Sequence, residues 1–305
     1  MGADPGLLGS SDLVSDQEIQ RRIDFADAAL ALVRCGPGDI RHRVLVRRVA
    51  SGALPAEEAV AITAARVGAT IGDPDLTVGA GGDLYEIPGS TTLRNRLISA
   101  NHHYGIEDSA ELRRIEQEIS RIRLVELAAV PVQGHLDYDH MKHIHRRLFG
   151  DVYHWAGHER VDPSSMMRFA PDAVHFEPGD LSAPPMKYKY FAGSEIAEAS
   201  SIVYSQLHAL RSRTDLSREG VLDLMAELAG EIQTIHAFQD GNCRTVYVFA
   251  LQFFEDIGYP ADPSQFLGDS HLRERMIHAR HQNHATGRHE AYFRTFDALL
   301  ARTKN

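Results

Sequence analysis

Two apolar stripes set the frame for this chain. Val221, Met225, Leu228, Ile232 and Ile235 follow a spacing of four, three, four and three, and Val246, Ala250, Phe253 and Ile257 repeat that period. Such spacing puts one face of a helix in a core, so the residues between the stripes must join two buried helices. The joining run reads His236-Ala237-Phe238-Gln239-Asp240-Gly241-Asn242-Cys243-Arg244. It places an imidazole, a hard carboxylate ligand, a Gly-Asn pair able to turn backbone N–H groups inward, and a guanidinium in one loop. The end of the run opens the second helix, whose first turn has free N–H groups and a partial positive charge, a seat for a phosphate. The grouping suits nucleotide phosphate chemistry.

These residues resemble the Fic family, whose signature is H-x-F-x-[DE]-G-N-G-R-x-x-R between two helices. The chain supplies six of the eight specified positions and departs at Cys243 and Tyr247. Tyr85-Glu86-Ile87-Pro88-Gly89, Thr92-Leu93-Arg94-Asn95 and the stretch from Met141 through Trp155 to Gly157 also resemble Fic domains. The resemblance covers residues 84–300. It implies a mainly α fold, a helical bundle with a short β-hairpin flap, here preceded by a small three-helix N-terminal region.

The resemblance also implies roles. His236 would be the general base that takes a proton from a target hydroxyl, and its plainer reading is a helix-terminal His satisfied by the dipole. Phe238 would hold the loop rigid from beneath. Asp240 would hold Mg²⁺ against the phosphates of ATP, or cap the second helix. Gly241, Asn242 and Cys243 would form the anion nest, and Arg244 would clamp a phosphate in bidentate fashion. The implied reaction moves AMP from ATP to a Ser, Thr or Tyr hydroxyl of a protein partner. A phosphate-transferring variant and a non-catalytic nucleotide- or partner-binding domain are the alternatives. Both departures bear on that choice. A Cβ at position 243 is a modest cost at negative φ and a serious one at positive φ, and Tyr247 removes a cation that in the family meets the outer phosphate.

Organisation follows from composition. With 43% hydrophobic residues among 305, the chain can bury a sizeable core. A net charge of −10 argues against direct nucleic-acid binding or a membrane surface. No apolar run is long enough to span a bilayer, and the first residues are not a signal sequence. The chain reads as cytoplasmic, with delivery into another cell left open. Residues 1–20 read as a flexible tail, 21–67 as the helical region, 68–83 as a Gly-rich linker, and 84–300 as the Fic-like domain. Met167, Arg168, Phe169, Ala170 and Pro171 are expected to form a flap strand paired with Val174-His175-Phe176, its edge free to dock a target by β-augmentation. Residues 178–194 are expected to be irregular.

Residues 21–66 loosely resemble the small antitoxin of class I Fic toxins. The antitoxin pattern [ST]-x-x-x-E-[GN] is absent, as is the second Arg it would meet, so both halves of that ion pair are missing. If the N-terminal helix docks as an antitoxin does, Cys35 and Cys243 form a candidate redox pair. His278, His281, His284 and His289 drift around a helix and read as a polar surface, and His140, His143, His145 and Trp155 as scaffold.

Overall fold

A computed structural model describes residues 14–76, 84–161, 166–213 and 215–300. Among these, the helices are α1 (Asp16–Ala31), α2 (Ile40–Ala50), α3 (Ala56–Ala65), α4 (Ser109–Ala129), α5 (Tyr138–Phe149), α6 (Glu195–Arg211), α7 (Arg218–Ile235), α8 (Asn242–Asp256), α9 (His271–Thr286) and α10 (Glu290–Leu299). The strands are β1 (Thr70–Ile71), β2 (Leu97–Ile98), β3 (Met167–Pro171) and β4 (Pro185–Lys189). They form two antiparallel pairs, β1 with β2 and β3 with β4. The mainly α fold with one short hairpin is as expected.

Caps explain where the helices begin. Ser15 Oγ accepts the Glu18 N–H at 3.2 Å, which with Asp16 and Glu18 in the first turn starts α1 before Ile19. Residues 16–20, read from sequence as tail, are therefore helical, and residues 1–13 lie outside the described part. Asp108 caps α4 and Asp137 caps α5 through their carboxylates. Ser217 Oγ caps α7, accepting the Gly220 N–H.

α4 is the spine. Ile115, Ile119, Ile122, Leu124 and Val125 are fully buried, and α1, α2, α3 and α5 all pack on it. α7 lies against α6, α8, α9 and α10. One apolar cluster runs from Ile19 in α1 to Leu300. Buried charge reinforces the α1–α4 contact: Arg121 Nε donates to Asp27 Oδ1 at 3.0 Å, and its Nη2 to the Gly36 carbonyl. Two residues further along α4, Arg123 binds Asp151 at 2.7 Å, Glu126 at 2.9 Å and Glu57 of α3 at 3.1 Å.

The hairpin corrects one expectation. β3 pairs not with Val174–Phe176 but with β4, in the register Met167↔Lys189 through Pro171↔Pro185. β4 belongs to the segment expected to be irregular. Its alternation buries Tyr188 while Lys187 and Lys189 stay exposed, the period-two pattern that overrides the flanking prolines and glycines. Val174 and His175 instead donate their N–H groups to Asp172 Oδ1, at 2.8 and 3.1 Å, in a turn.

Candidate active site

α7 ends at His236, whose backbone is left-handed at φ 49°, ψ 58°. This is a costly conformation for a residue with a Cβ. Arg160 holds it there. That side chain is buried, its Nε donates to the His236 carbonyl at 2.8 Å, and its own N–H donates to the Ala237 carbonyl at 2.9 Å. A guanidinium on the last carbonyls of α7 also complements the negative end of the helix dipole.

Asn242 then ties the loop shut. Its Oδ1 accepts the Phe238 N–H at 2.9 Å and its Nδ2 donates to the Phe238 carbonyl at 2.7 Å. Phe238 is buried and stacks on His145 at 3.8 Å between centroids. His145 Nε2 in turn meets the Asp240 carbonyl at 2.9 Å, and its Nδ1 accepts the Gly157 N–H at 2.8 Å. The second bond makes Nε2 the protonated nitrogen. Gly241 has φ +82°, and a Cβ there would stand 2.4 Å from Phe149 Cε2, so only glycine fits.

The first turn of α8 has Gly241 as its cap and no side-chain acceptor for its N–H groups. The Asp240 carboxylate does not cap it: Oδ1 takes the Gly241 N–H at 2.7 Å. Cys243 sits within α8 and is absent from the positive-φ residues, so the Gly-to-Cys departure from the signature carries no left-handed strain. Asn242 thus braces the loop with its side chain, and the backbone at the start of α8 is left without a side-chain cap.

A cavity of about 320 Å³ opens over this turn. It is lined by His236, Asp240, Gly241, Asn242, Cys243 and Arg244 from the loop, Arg168, Phe169 and Ala170 from β3, Tyr190 beyond β4, Arg280 and His281 from α9, and Leu32, Val33 and Arg34 after α1. Met167 is at the exposed outer end of β3. Among the described residues, four arginines and one carboxylate, Asp240, line this space in a protein of net charge −10. Arg168 Nη2 donates to the Gln239 carbonyl at 3.1 Å, joining flap to loop.

His236 stacks on Tyr190 at 4.0 Å between centroids. Neither ring nitrogen bonds to a described residue, and Nδ1 is fully buried without a partner. Burial first, then the guanidiniums of Arg168, Arg160 and Arg280, hold the imidazole well below the usual histidine range. It is neutral at pH 7 and has a free lone pair. The plainer reading of His236, a helix-terminal imidazole satisfied by its dipole, finds no support in these partners.

Two expectations meet a different geometry. Arg244 Nη1 binds Glu116 Oε1 of α4 at 2.5 Å and Ser120 Oγ at 2.9 Å, with the guanidinium 4.6 Å above the Phe149 ring. Its charge is committed to the spine helix rather than held open for a phosphate. Tyr247 is buried, donates its hydroxyl to the Phe25 carbonyl of α1 at 3.1 Å, and packs on the Phe25 ring at 5.4 Å. Position 247 therefore anchors α1, whose C-terminal end reaches the cavity without a carboxylate. The two thiols are free and take separate partners, Cys35 on Gln117 Oε1 at 3.0 Å and Cys243 on Arg280.

The α9 histidines also differ from expectation. His281 is buried and lines the cavity, while His278 and His284 bind the carbonyls of Phe176 and Lys189. Sequence reading missed Glu116, Arg160, Tyr190 and Arg280. Each comes from an element distant in the chain, and only the helical spacing of Ile277 and Arg280 hinted that α9 faces inward.

A family model described as Fic/DOC matches residues 135–254. The probable protein adenylyltransferase y4lH of Sinorhizobium fredii is 32% identical over 183 residues, covering 58% of this chain and 78% of that protein. The chain belongs to the Fic/DOC family. Protein adenylyltransferase VbhT of Bartonella schoenbuchensis is 31% identical over 158 residues, 52% of this chain but 29% of VbhT. The match thus spans under a third of that relative. The Fic fold is shared with the ADP-bound N-terminal Fic domain of a Bartonella quintana cell filamentation protein, at a TM-score of 0.55, 23% identity and coverage of 72% of this chain and 95% of that one. BepC of Bartonella tribocorum, solved with AMPPNP, has a TM-score of 0.54 at 20% identity, covering 72% and 97%.

Proposed function

We propose that this Fic domain transfers AMP from ATP to a hydroxyl of a protein. One observation carries the reading. An unpartnered neutral imidazole, His236, shares a cavity with the uncapped first turn of α8 and four arginines. The phosphates of ATP would accept from the free N–H groups of that turn. His236 would take the hydroxyl proton as the oxygen attacks the α-phosphorus. The new O–P bond forms as the bond to the bridging oxygen breaks, and pyrophosphate leaves. The low basicity of His236 is corrected by the substrate, because triphosphate charge beside the imidazole favours its protonated form.

Among the described residues Asp240 is the one carboxylate lining the cavity, and Gly241 uses one of its two oxygens. Among the described residues no cluster of three or more His, Cys, Asp or Glu could hold a metal alone. One carboxylate plus substrate phosphates is the usual way proteins hold Mg²⁺, so Asp240 fits that role, where the ion would neutralise phosphate charge. The exposed edge of β3, with Phe169 66% exposed, suits an extended target segment beside the cavity.

Nucleotide or partner binding without turnover is the second reading, favoured by the commitment of Arg244 to Glu116 and of Tyr247 to α1. Incubation of the protein and its His236→Ala variant with lysate and ATP labelled at the α or γ phosphate separates the readings. The proposal expects α label on protein with wild type and none with the variant. Label from the γ phosphate alone would mean phosphate transfer, and no label from either would favour binding without turnover.

A further inference from the structure

The four arginines of the cavity are not equivalent. Arg244 is ion-paired with Glu116 and Arg34 with Glu274. Arg168 lies exposed on the flap strand. Arg280, on α9, is largely enclosed and has no carboxylate within ion-pairing distance among the described residues. Its Nη1 meets Cys243 Sγ, its Nη2 meets His281 Nε2 at 3.0 Å, and its Nε is buried with no partner.

Neither partner is a carboxylate. Burial and the Arg280 charge itself hold His281 at about 2, so that ring is neutral. A guanidinium removed from water without an anion is costly, and the fold has positioned it where an anion could remove the cost. That place is specific. Cys243 is the second residue of α8, so Arg280 reaches the same uncapped turn that offers its N–H groups to the cavity. Helix terminus and guanidinium would then act on one phosphate from two directions.

We propose that Arg280 is a phosphate-binding residue of this site, a cation delivered from α9 where the loop's own Arg244 is neutralised by Glu116 and position 247 holds a tyrosine. The inference rests on the nucleotide reading above. It extends that reading by naming the element that senses the phosphates. It also accounts for Cys243: a side chain at the position of the signature's second glycine forms a wall against which the Arg280 fork rests.

The test uses the full chain and its Arg280→Met and Arg280→Lys variants, titrated with ATP and with adenosine, alongside thermal melting. Arg280→Met should weaken ATP binding about 10- to 100-fold, the worth of one charge-assisted hydrogen bond or a bidentate pair. Adenosine affinity should be unchanged, and Arg280→Lys should fall between. Without ligand, the Met variant should melt no lower than wild type, because it removes an unpaired charge. Equal ATP affinity in wild type and Arg280→Met would overturn the inference alone. A parallel loss for ATP and adenosine with a lowered melting temperature would also overturn it, marking the residue as packing. Should wild type not bind ATP, the nucleotide reading falls and this inference with it.

Discussion

Glu116→Gln isolates what the buried pair on α4 does. Arg244 and Glu116 have side-chain exposures of 7% and 6%, and the Nη1–Oε1 distance is 2.5 Å. Removing one partner of such a pair strands the other charge and typically costs about 3–5 kcal/mol. Here the Arg244 guanidinium keeps the Ser120 hydroxyl at 2.9 Å and the Phe149 ring at 4.6 Å. Glutamine also preserves an acceptor oxygen, so the expected loss is at the lower end, about 3 kcal/mol. The converse change behaves differently. Arg244→Met leaves Glu116, whose carboxyl burial already pushes up, and which can take a proton. Its cost should therefore shrink as pH falls from 8 to 5. The double variant, with neither charge, should recover much of the loss, giving a coupling of about 2 kcal/mol in a urea-denaturation cycle. A Glu116→Gln protein within about 0.5 kcal/mol of wild type, or a coupling near zero, would refute the placement of Arg244 as a neutralised brace.

Gly241→Ala should destabilise by about 2–5 kcal/mol, combining a left-handed alanine with a clash against Phe149; a urea midpoint equal to wild type would contradict the loop geometry. Stability should fall as pH drops below about 6.5, because His42 and His145, both held at about 3, and His281, held at about 2, are neutral when folded and protonate on unfolding. Their folded values are depressed, so the contribution is complete above 6.5 and lost on acidification, with a limiting slope of about 4 kcal/mol per pH unit. Denaturation curves at pH 7 and 5 that coincide would refute it. The salt-bridged Glu18 and Asp39, held at about 2, begin to matter only once pH falls into the ordinary carboxylate range, and their contribution is lost from there down to about 2. Tyr247→Phe should cost about 1 kcal/mol, the worth of the hydroxyl bond to Phe25, while the ring contact keeps α1 docked. Release of α1, read as protease cleavage within it at wild-type folding stability, would show that the contact had been overrated.

The loop was legible because its chemistry is contiguous: helix stripes on both sides fix its ends, and Gly241 and Asn242 are residue types that a tight turn demands. Two helix starts were legible to within a residue or two, because the sequence offers a cap at Asp108 or Ser109 and another at Asp215 or Ser217, and the structure uses Asp108 and Ser217. What failed was whatever needed a partner from afar. Arg244 looks like a phosphate clamp until Glu116, 128 residues away, is placed against it. Tyr247 looks like a lost cation until Phe25 is found across it. The hairpin partner was misassigned because Val174–Phe176 has β-forming residues and Pro185–Lys189 opens on a proline preceded by another, yet burial of Tyr188 decides the pairing. His281 read as surface because α9 carries polar residues on several faces, one of which, bearing Arg280 as well, is turned into the cavity.

The central claim is that the first turn of α8 seats nucleotide phosphates beside His236. A crystal structure of the chain with Mg²⁺ and a non-hydrolysable ATP analogue tests it most directly. The account predicts phosphate oxygens within hydrogen-bond distance of the backbone N–H groups at the start of α8, with the His236 ring facing the α-phosphorus. Phosphates bound away from that turn, or an imidazole rotated out of the cavity, would contradict it.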